Sequence, residues 1–165
     1  MATYRRTRNL EASLIDYIIA QLASASWTGI GVVKGFEEAY GLNLPVIAVR
    51  SESSVVNHGE IGDNAEVRDY QVLINIFATS DGQRLDLKDF LIDILKVGCA
   101  YYEYKTKKSL DGRSTIVDTK TQKGRIRITK IGDTSVKFDV EKDKLVVHDR
   151  YRHLLSLTVS RNILE

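Results

Sequence analysis

The first run of apolar residues along the chain follows a helical period. In residues 10–25, LEASLIDYIIAQLASA, leucine, isoleucine and tyrosine recur every three or four positions, which places them on one face of a helix. Asn9 precedes the run as a suitable N-cap, and Glu11 places an acidic side chain in the first turn, where the helix dipole favours it. The pattern predicts an amphipathic helix.

A second apolar stripe with helical spacing lies in residues 83–97. It consists of Leu87, Phe90, Leu91, Ile94 and Leu95, and the opposite side carries Asp86, Asp89 and Asp93. Asp81 is the expected N-cap, and Gly98 is the expected left-handed residue after the last turn. These features predict a helix with a buried apolar side and an acidic outer side.

Elsewhere apolar and polar residues alternate, which is the pattern of strands. Residues 66–79 give the clearest strand, because apolar residues line one face and also occur on the other face near its end, as in a central strand covered by helices. Residues 51–65 have turn chemistry and little apolar content, and they predict a long mobile loop that orders on binding. Further strands are predicted at 30–33, 46–51, 99–105, 125–131, 135–140, 144–148 and 151–160.

These elements together predict an α/β (α+β) fold in a single domain over residues 1–165. We expect a mixed, mostly antiparallel sheet with two main helices packed on it. Asp111-Gly112 is a strong hairpin signal between two of the strand segments. We therefore expect residues 106–149 to be an inserted or enlarged β-hairpin region.

Charge is distributed unevenly along the chain. The net charge is +2, but residues 105–130 contain nine basic and two acidic side chains, so that this segment is +7 and the remainder is −5. The 43% apolar and 28% charged residues are ordinary for a globular protein, and no apolar run reaches the roughly 18–20 residues of a membrane span. The start lacks the apolar stretch of a signal peptide, and the single Cys99 excludes an internal disulfide.

Glu103-Tyr104-Lys105 matches half of a metal-dependent nuclease core, in which a carboxylate holds Mg²⁺ and a lysine steadies the attacking water. The other half requires an acid after a proline at a strand end, whereas Pro45 is followed by Val46. Because a magnesium site needs several convergent oxygen ligands, an exposed strand with alternating charge is the favoured interpretation.

Other catalytic and metal-binding arrangements are also missing from the sequence. The histidines are His58, His148 and His153. They lie too far apart to predict a metal site, and Cys99 has no second cysteine with which to hold zinc. Ser80-Asp81-Gly82 lacks the glycines and lysine of a phosphate loop, and its acid repels phosphate. We expect no catalytic residue, no metal site and no cofactor.

Residues 60–95, EIGDNAEVRDYQVLINIFATSDGQRLDLKDFLIDIL, resemble a signature region of the tail terminator proteins of long-tailed bacteriophages. These are also called tail completion or head–tail joining proteins. The matching features are Ile76-Phe77-Ala78 at the end of the central strand, the turn after it, and the helix start at residues 86–90. The aromatic strand at 101–104 and the closing apolar strand at 151–160 also fit, whereas residues 106–149 depart from the compact family pattern.

The resemblance implies a structural subunit without catalytic residues that assembles into a ring of six. The ring would cap the tail tube at its full length and provide the surface that joins the head, with DNA passing through the hole. The implied partners are further copies of the chain, the tail-tube protein and a neck or head-completion protein. The implied location is the virion, after assembly in the host cytoplasm, with no membrane.

In a ring, one patch of each subunit contacts a different patch on the next copy. The basic segment of one copy could therefore meet the acidic remainder of its neighbour, head to tail. Aromatic side chains are enriched at protein interfaces, so Tyr101, Tyr102 and Tyr104 suit such an interface. They are equally well explained as half-buried strand residues. The candidate subunit or partner interface comprises Tyr101, Tyr102, Tyr104, Lys107, Lys108, Arg113, His58 and Glu60. Two alternatives stay open: a neck, head-completion or tail-tube protein of the same virion, and a small nucleic-acid-binding module that uses residues 105–130.

Overall fold

The structure, a computed structural model, describes residues 5–58, 66–113 and 115–162. The elements are α1 (Arg6–Ser24), β1 (Gly31–Lys34), β2 (Val46–His58), β3 (Glu66–Phe77), α2 (Asp81–Leu95), β4 (Cys99–Lys108), β5 (Thr115–Ser135) and β6 (Arg152–Asn162). The strands form one six-stranded sheet in the order β1-β2-β3-β6-β5-β4. β1 and β2 are parallel and the other neighbouring pairs are antiparallel, which confirms the predicted α+β fold.

Both helices pack on one face of the sheet and enclose the main core with it. The buried members include Leu14, Ile18, Tyr70, Val72, Ile74, Ile76, Leu87, Leu91, Leu95, Leu155, Leu157 and Val159. On the other face, Val46, Ala48 and Phe77 form a smaller buried cluster with Ala39. The end of β3 is therefore covered on both faces, as its apolar character on both sides predicts.

Helix α1 contacts strands at both sides of the sheet. The Glu11 carboxylate accepts a hydrogen bond from the Ser51 amide of β2 at 2.8 Å, and Ser13 Oγ accepts one from the Tyr102 amide of β4 at 2.9 Å. β2 and β4 are four strand spacings apart, about 19 Å in a flat sheet, whereas a helix with its side chains is about 10–12 Å wide. The sheet must therefore curve around α1.

The helix starts differ from the predicted ones. α1 begins at Arg6, so Asn9 lies inside the helix and is not its N-cap; Asn9 is buried, and its Oδ1 accepts a hydrogen bond from the Tyr104 amide at 3.4 Å. α2 is capped by Ser80 and not by Asp81, because Ser80 Oγ accepts a hydrogen bond from the Gln83 amide at 3.2 Å. The left-handed conformation predicted for Gly98 is confirmed by its φ of +74°.

Three strand predictions need correction. Residues 51–58, predicted as a loop, continue β2, and the rest of that predicted loop, 59–65, lies outside the described residues. Of the strands predicted at 135–140 and 144–148, only Ser135 lies in a strand, as the last residue of β5; beyond it the chain forms short 3-10 turns at Lys142–Lys144 and Val147–Asp149. β5 is longer than predicted and runs for 21 residues. Its second half pairs with β6, so part of the range 106–149 belongs to the central sheet.

Candidate assembly interface

The β4–β5 hairpin projects beyond the rest of the sheet. β5 pairs with β6 only from Arg125 onward, so its residues from Thr115 to Gly124 pair with β4 alone. At about 3.3 Å per residue, this part reaches about 30 Å past the end of β6. We call residues 105–124 the basic arm, because they contain six basic and two acidic side chains.

The base of the basic arm is fixed by α1. The Tyr104 hydroxyl donates a hydrogen bond to Asp16 at 2.6 Å, and Lys120 Nζ lies 3.2 Å from the same carboxylate. Lys120 also lies over the ring of Tyr102, at 4.1 Å from the centroid. Burial and the bond to Asp16 raise the pKa of Tyr104, which therefore stays a neutral donor. The arm thus leaves the domain in a defined direction.

The outer part of the basic arm exposes both cations and apolar side chains. Lys107 pairs with Asp118 at 2.8 Å across the ribbon, but both side chains remain about half exposed. Lys105 and Lys108 are exposed. The large apolar side chains that the arm exposes are Leu110, Ile116 and Val117. The outer part of the basic arm therefore presents cationic and apolar side chains together.

A second hairpin, formed by β2 and β3, has the opposite charge. We call residues 52–58 and 66–69 the acidic arm, because the sequence there contains three acidic side chains and one basic one. Glu52 is exposed, as are Val55 and Val56, at 55% and 42%. The sequence pattern missed this part of the surface, because its serines and polar residues are typical of a loop. The paired Val55-Val56 was the available signal for a strand.

Both arms lie at the same end of the sheet, with β6 between them. β3 and β5 both run antiparallel to β6; β5 extends well beyond the last residues of β6, whereas Asp69 of the acidic arm still pairs with Ser160 of β6. β1 covers the outer edge of β2 only along Val46–Val49. α1 supplies hydrogen-bond partners to β4 as far as Tyr104. Beyond these points, no described strand pairs with the outer edge of either arm.

The sequence-predicted interface residues divide into groups. Lys107, Lys108 and Arg113 are exposed on the basic arm. Tyr101 and Tyr104 are 4% and 9% exposed inside the subunit, so their side chains offer a partner little surface, and Tyr102 is half-buried beside Lys120. His58 ends β2 but its side chain is not among those described, and Glu60 lies outside the described residues.

The residues considered for chemistry are separated in the fold. His148 lies against the backbone carbonyl of Leu42, at 2.7 Å, whereas His153 is buried beneath α2, so the two histidines do not form one site. Cys99 is buried, and that burial raises the pKa of its thiol to about 12. Among the described residues, no three histidine, cysteine or acidic side chains come close enough to hold a metal ion.

His153 belongs to a polar cluster at the start of α2. Its Nδ1 lies 2.6 Å from an Arg84 nitrogen, and its Nε2 lies 3.7 Å from Asp133. Burial lowers the pKa of His153, and the positive charge of Arg84 lowers it further against the opposing effect of Asp133. The imidazole is therefore neutral near pH 7, and its Nδ1 accepts a hydrogen bond from the Arg84 guanidinium.

The basic and acidic arms both carry exposed charged and apolar side chains. Neither α-helix among the described residues is long and apolar enough to cross a membrane. No protein-family model matches this sequence, and no curated protein matches it.

Proposed function

We propose that the protein is a structural component of a bacteriophage virion, which forms a ring that caps the tail tube and provides the head-to-tail joining surface. The resemblance in residues 60–95 supports this class of protein. The α+β fold, with two helices on one face of a mixed sheet, agrees with what that resemblance implies. The partners in this proposal are further copies of the chain, the tail-tube protein and a neck protein, with DNA passing through the hole.

The observation that carries the proposal is the basic arm. A two-stranded ribbon is marginally stable by itself in water, and this ribbon extends well past the strand that would support it. It nevertheless exposes Leu110, Ile116 and Val117 beside its lysines. A partner that covers these side chains would stabilise the ribbon, so the arm supports assembly as the role of the chain.

Light scattering after size exclusion tests the assembly. We expect a discrete ring, or a monomer that becomes a ring when purified tail tubes are added. A chain that stays monomeric in both conditions refutes the proposal. The ring is expected to weaken as salt increases, because opposite charges at an interface attract less when they are screened.

A phage carrying Lys107→Glu together with Lys108→Glu tests the basic arm in its assembled setting. We expect normal heads and tails of normal length that fail to be capped or joined, because the arm would then repel an acidic protein surface. Lysines that gripped DNA around a ring would hold phosphates and impede passage, which favours a protein partner. Particles that join normally but eject DNA abnormally would show that the arm faces the lumen.

A nucleic-acid-binding module is the second candidate, and the exposed cations of the basic arm favour it. Its phosphate contacts would make binding fall steeply with salt. Against it, residues 106–130 contain no aromatic side chain on which bases could stack. A monomer that binds DNA in low salt and never assembles on tubes would support this candidate and refute the first.

A further inference from the structure

We propose that copies of this chain join by edge-to-edge strand pairing, in which the outer edge of β4 on the basic arm of one copy adds to the outer edge of β2 on the acidic arm of the next. This inference rests on the proposed function, because it names the surfaces that would meet in the ring. The partner is a second copy of the same chain.

Both arms have an open outer strand edge, on β2 in the acidic arm and on β4 in the basic arm. Beyond Val49 the outer edge of β2 has no strand neighbour among the described residues, and beyond Tyr104 the same holds for β4. Unpaired strand edges are templates for pairing with another chain. The two edges lie on opposite sides of the same sheet, so each copy offers one edge to each neighbour and the contact is head to tail.

The charges of the two arms are complementary. The basic arm has a formal charge of +4 over residues 105–124, and the acidic arm has one of −2 over residues 52–58 and 66–69. Glu52 and Asp69 form no ion pair with a described residue, and neither do Lys105 and Lys108. A second copy therefore presents the opposite charge to each arm, whereas β6 separates the two arms of one copy.

Exposed apolar side chains on both arms support the same pairing. Val55 and Val56 are exposed on the acidic arm, and Ile116 and Val117 on the basic arm, at 44% and 57%. β-branched side chains on adjacent strands pack well against each other and stabilise a sheet. Pairing of the arms would place Val55 and Val56 directly beside β4, with Ile116 and Val117 one strand further away on β5, and would extend the two-stranded ribbon into a wider sheet.

The strand directions define the geometry of the contact. β2 runs toward His58 and β4 runs toward Lys108, so both run toward the arm tips. The paired residues Val55, Asp69, Ser160 and Arg127 lie level across the sheet, beside the start of β4, so the open part of β4 lies further along the strand direction than the open part of β2. Parallel pairing of the two edges around a ring therefore requires strands that are tilted to the ring axis, as in a closed barrel. The result is a sheet that continues from one subunit to the next around a closed ring.

Charge reversal in matched pairs tests the contact. Lys105→Glu with Lys108→Glu lowers the formal charge of the basic arm from +4 to 0 and places two acidic side chains on it, and Glu52→Lys with Asp69→Lys changes the formal charge of the acidic arm from −2 to +2. Each variant alone is expected to need at least about tenfold higher concentration to assemble, because the substituted positions of one copy then meet side chains of like charge on the next. A 1:1 mixture is expected to restore assembly, since the two copies can alternate. Circular dichroism and thermal melting of each variant check that the fold is kept.

Engineered cysteines test the proximity directly. A Ser54→Cys copy mixed with a Lys107→Cys copy is expected to form a disulfide-linked dimer on oxidation, whereas neither copy alone does so in high yield. The native Cys99 does not interfere, because it is buried. The matched control mixes Ser54→Cys with Val147→Cys, whose side chain is 54% exposed in the 3-10 turn near the start of β6, away from the arms.

The outcomes separate this inference from the proposed function. A ring that survives both charge reversals and gives no disulfide between positions 54 and 107 overturns the edge pairing and leaves the proposed function standing. A wild-type chain that forms no ring, either free or on tail tubes, overturns both. Loss of assembly in each variant, rescue in the mixture and the position-specific disulfide together support the pairing.

Discussion

Replacing Gly98 by alanine is expected to be one of the most destabilising small changes in this protein. Gly98 joins α2 to β4 with a φ of +74°, and its amide donates to the Leu95 carbonyl at 3.0 Å. A Cβ at this position would lie 2.5 Å from the backbone oxygen of Ile126. Two separate costs therefore act: an unfavourable backbone conformation and a clash with a buried strand that cannot move freely.

The magnitude follows from adding these costs. A left-handed conformation costs a non-glycine residue roughly 1–2 kcal/mol, and overpacking costs about 1–3 kcal/mol. Gly98→Ala should therefore lower the free energy of unfolding by about 2–5 kcal/mol, a large share of the roughly 5–15 kcal/mol typical of a domain. The clash cannot be relieved by rotating a flexible side chain, because the nearest atom belongs to the backbone of Ile126 in β5.

Two other glycines serve as matched controls. Gly112 in the β4–β5 turn also has a positive φ, of +70°, but a Cβ there meets nothing within 4 Å, so Gly112→Ala isolates the conformational cost of roughly 1–2 kcal/mol. Gly82 in the first turn of α2 has neither problem. Gly82→Ala should be neutral or stabilise by up to about 1 kcal/mol, since alanine favours the helix.

Urea unfolding followed by circular dichroism measures all three variants. The expected order of stability is Gly82→Ala, then wild type, then Gly112→Ala, then Gly98→Ala, with similar dependence on urea. If Gly98→Ala cost no more than Gly112→Ala, the close approach of Gly98 to β5 would be refuted. If both lay within about 0.5 kcal/mol of wild type, the argument from backbone conformation would also fail.

Three further changes test the helix starts and the buried polar groups. Ser80→Ala should cost about 1 kcal/mol in urea unfolding, because it removes the cap of α2, whereas Ser80→Asp should keep most of the stability. Tyr104→Phe should cost about 1–3 kcal/mol by removing the hydrogen bond to Asp16, with no change in urea dependence. Because the pKa of His153 is lowered in the folded state, the unfolded chain binds the proton more readily, and stability should fall as the pH drops below about 6.5. In His153→Gln this part of the pH dependence should disappear; an unchanged profile would show that another group causes it.

The period of the apolar residues predicted those elements whose buried face is apolar and whose exposed face is polar. The stripe of α2 and the inward residues of β3 are apolar because they face the core, so the core face of each could be identified. The start of α1 could not, because Asn9 and Glu11 resemble a helix start but serve tertiary contacts. Each binds a strand amide, of Tyr104 and Ser51, and such long-range partners leave no local signal.

The arms were misjudged for a related reason. Residues 52–56 are exposed on both faces of the hairpin, and exposed residues of a largely polar segment look the same in a strand and in a loop. The length of β5 was also missed, because Gly124, Gly132 and the polar residues between its apolar ones resemble turns. In both cases pairing with a neighbouring strand holds the backbone extended, and pairing is a property of the fold.

The basic side chains of residues 105–130, where the formal charge is +7, do not all have the same surroundings. This difference gives a last prediction. Lys120 is paired with Asp16 and lies over Tyr102, whereas Lys108 has no ion pair with a described residue. Lys120→Gln should therefore cost about 1 kcal/mol of stability, from the lost ion pair and ring contact, and should leave the salt dependence of assembly nearly unchanged. Lys108→Gln should do the reverse: stability within about 0.5 kcal/mol of wild type, with weaker assembly that responds less to salt. Equal effects of the two substitutions on assembly would mean that binding depends on the total charge of the segment. The partner would then not dock specifically on the outer part of the basic arm.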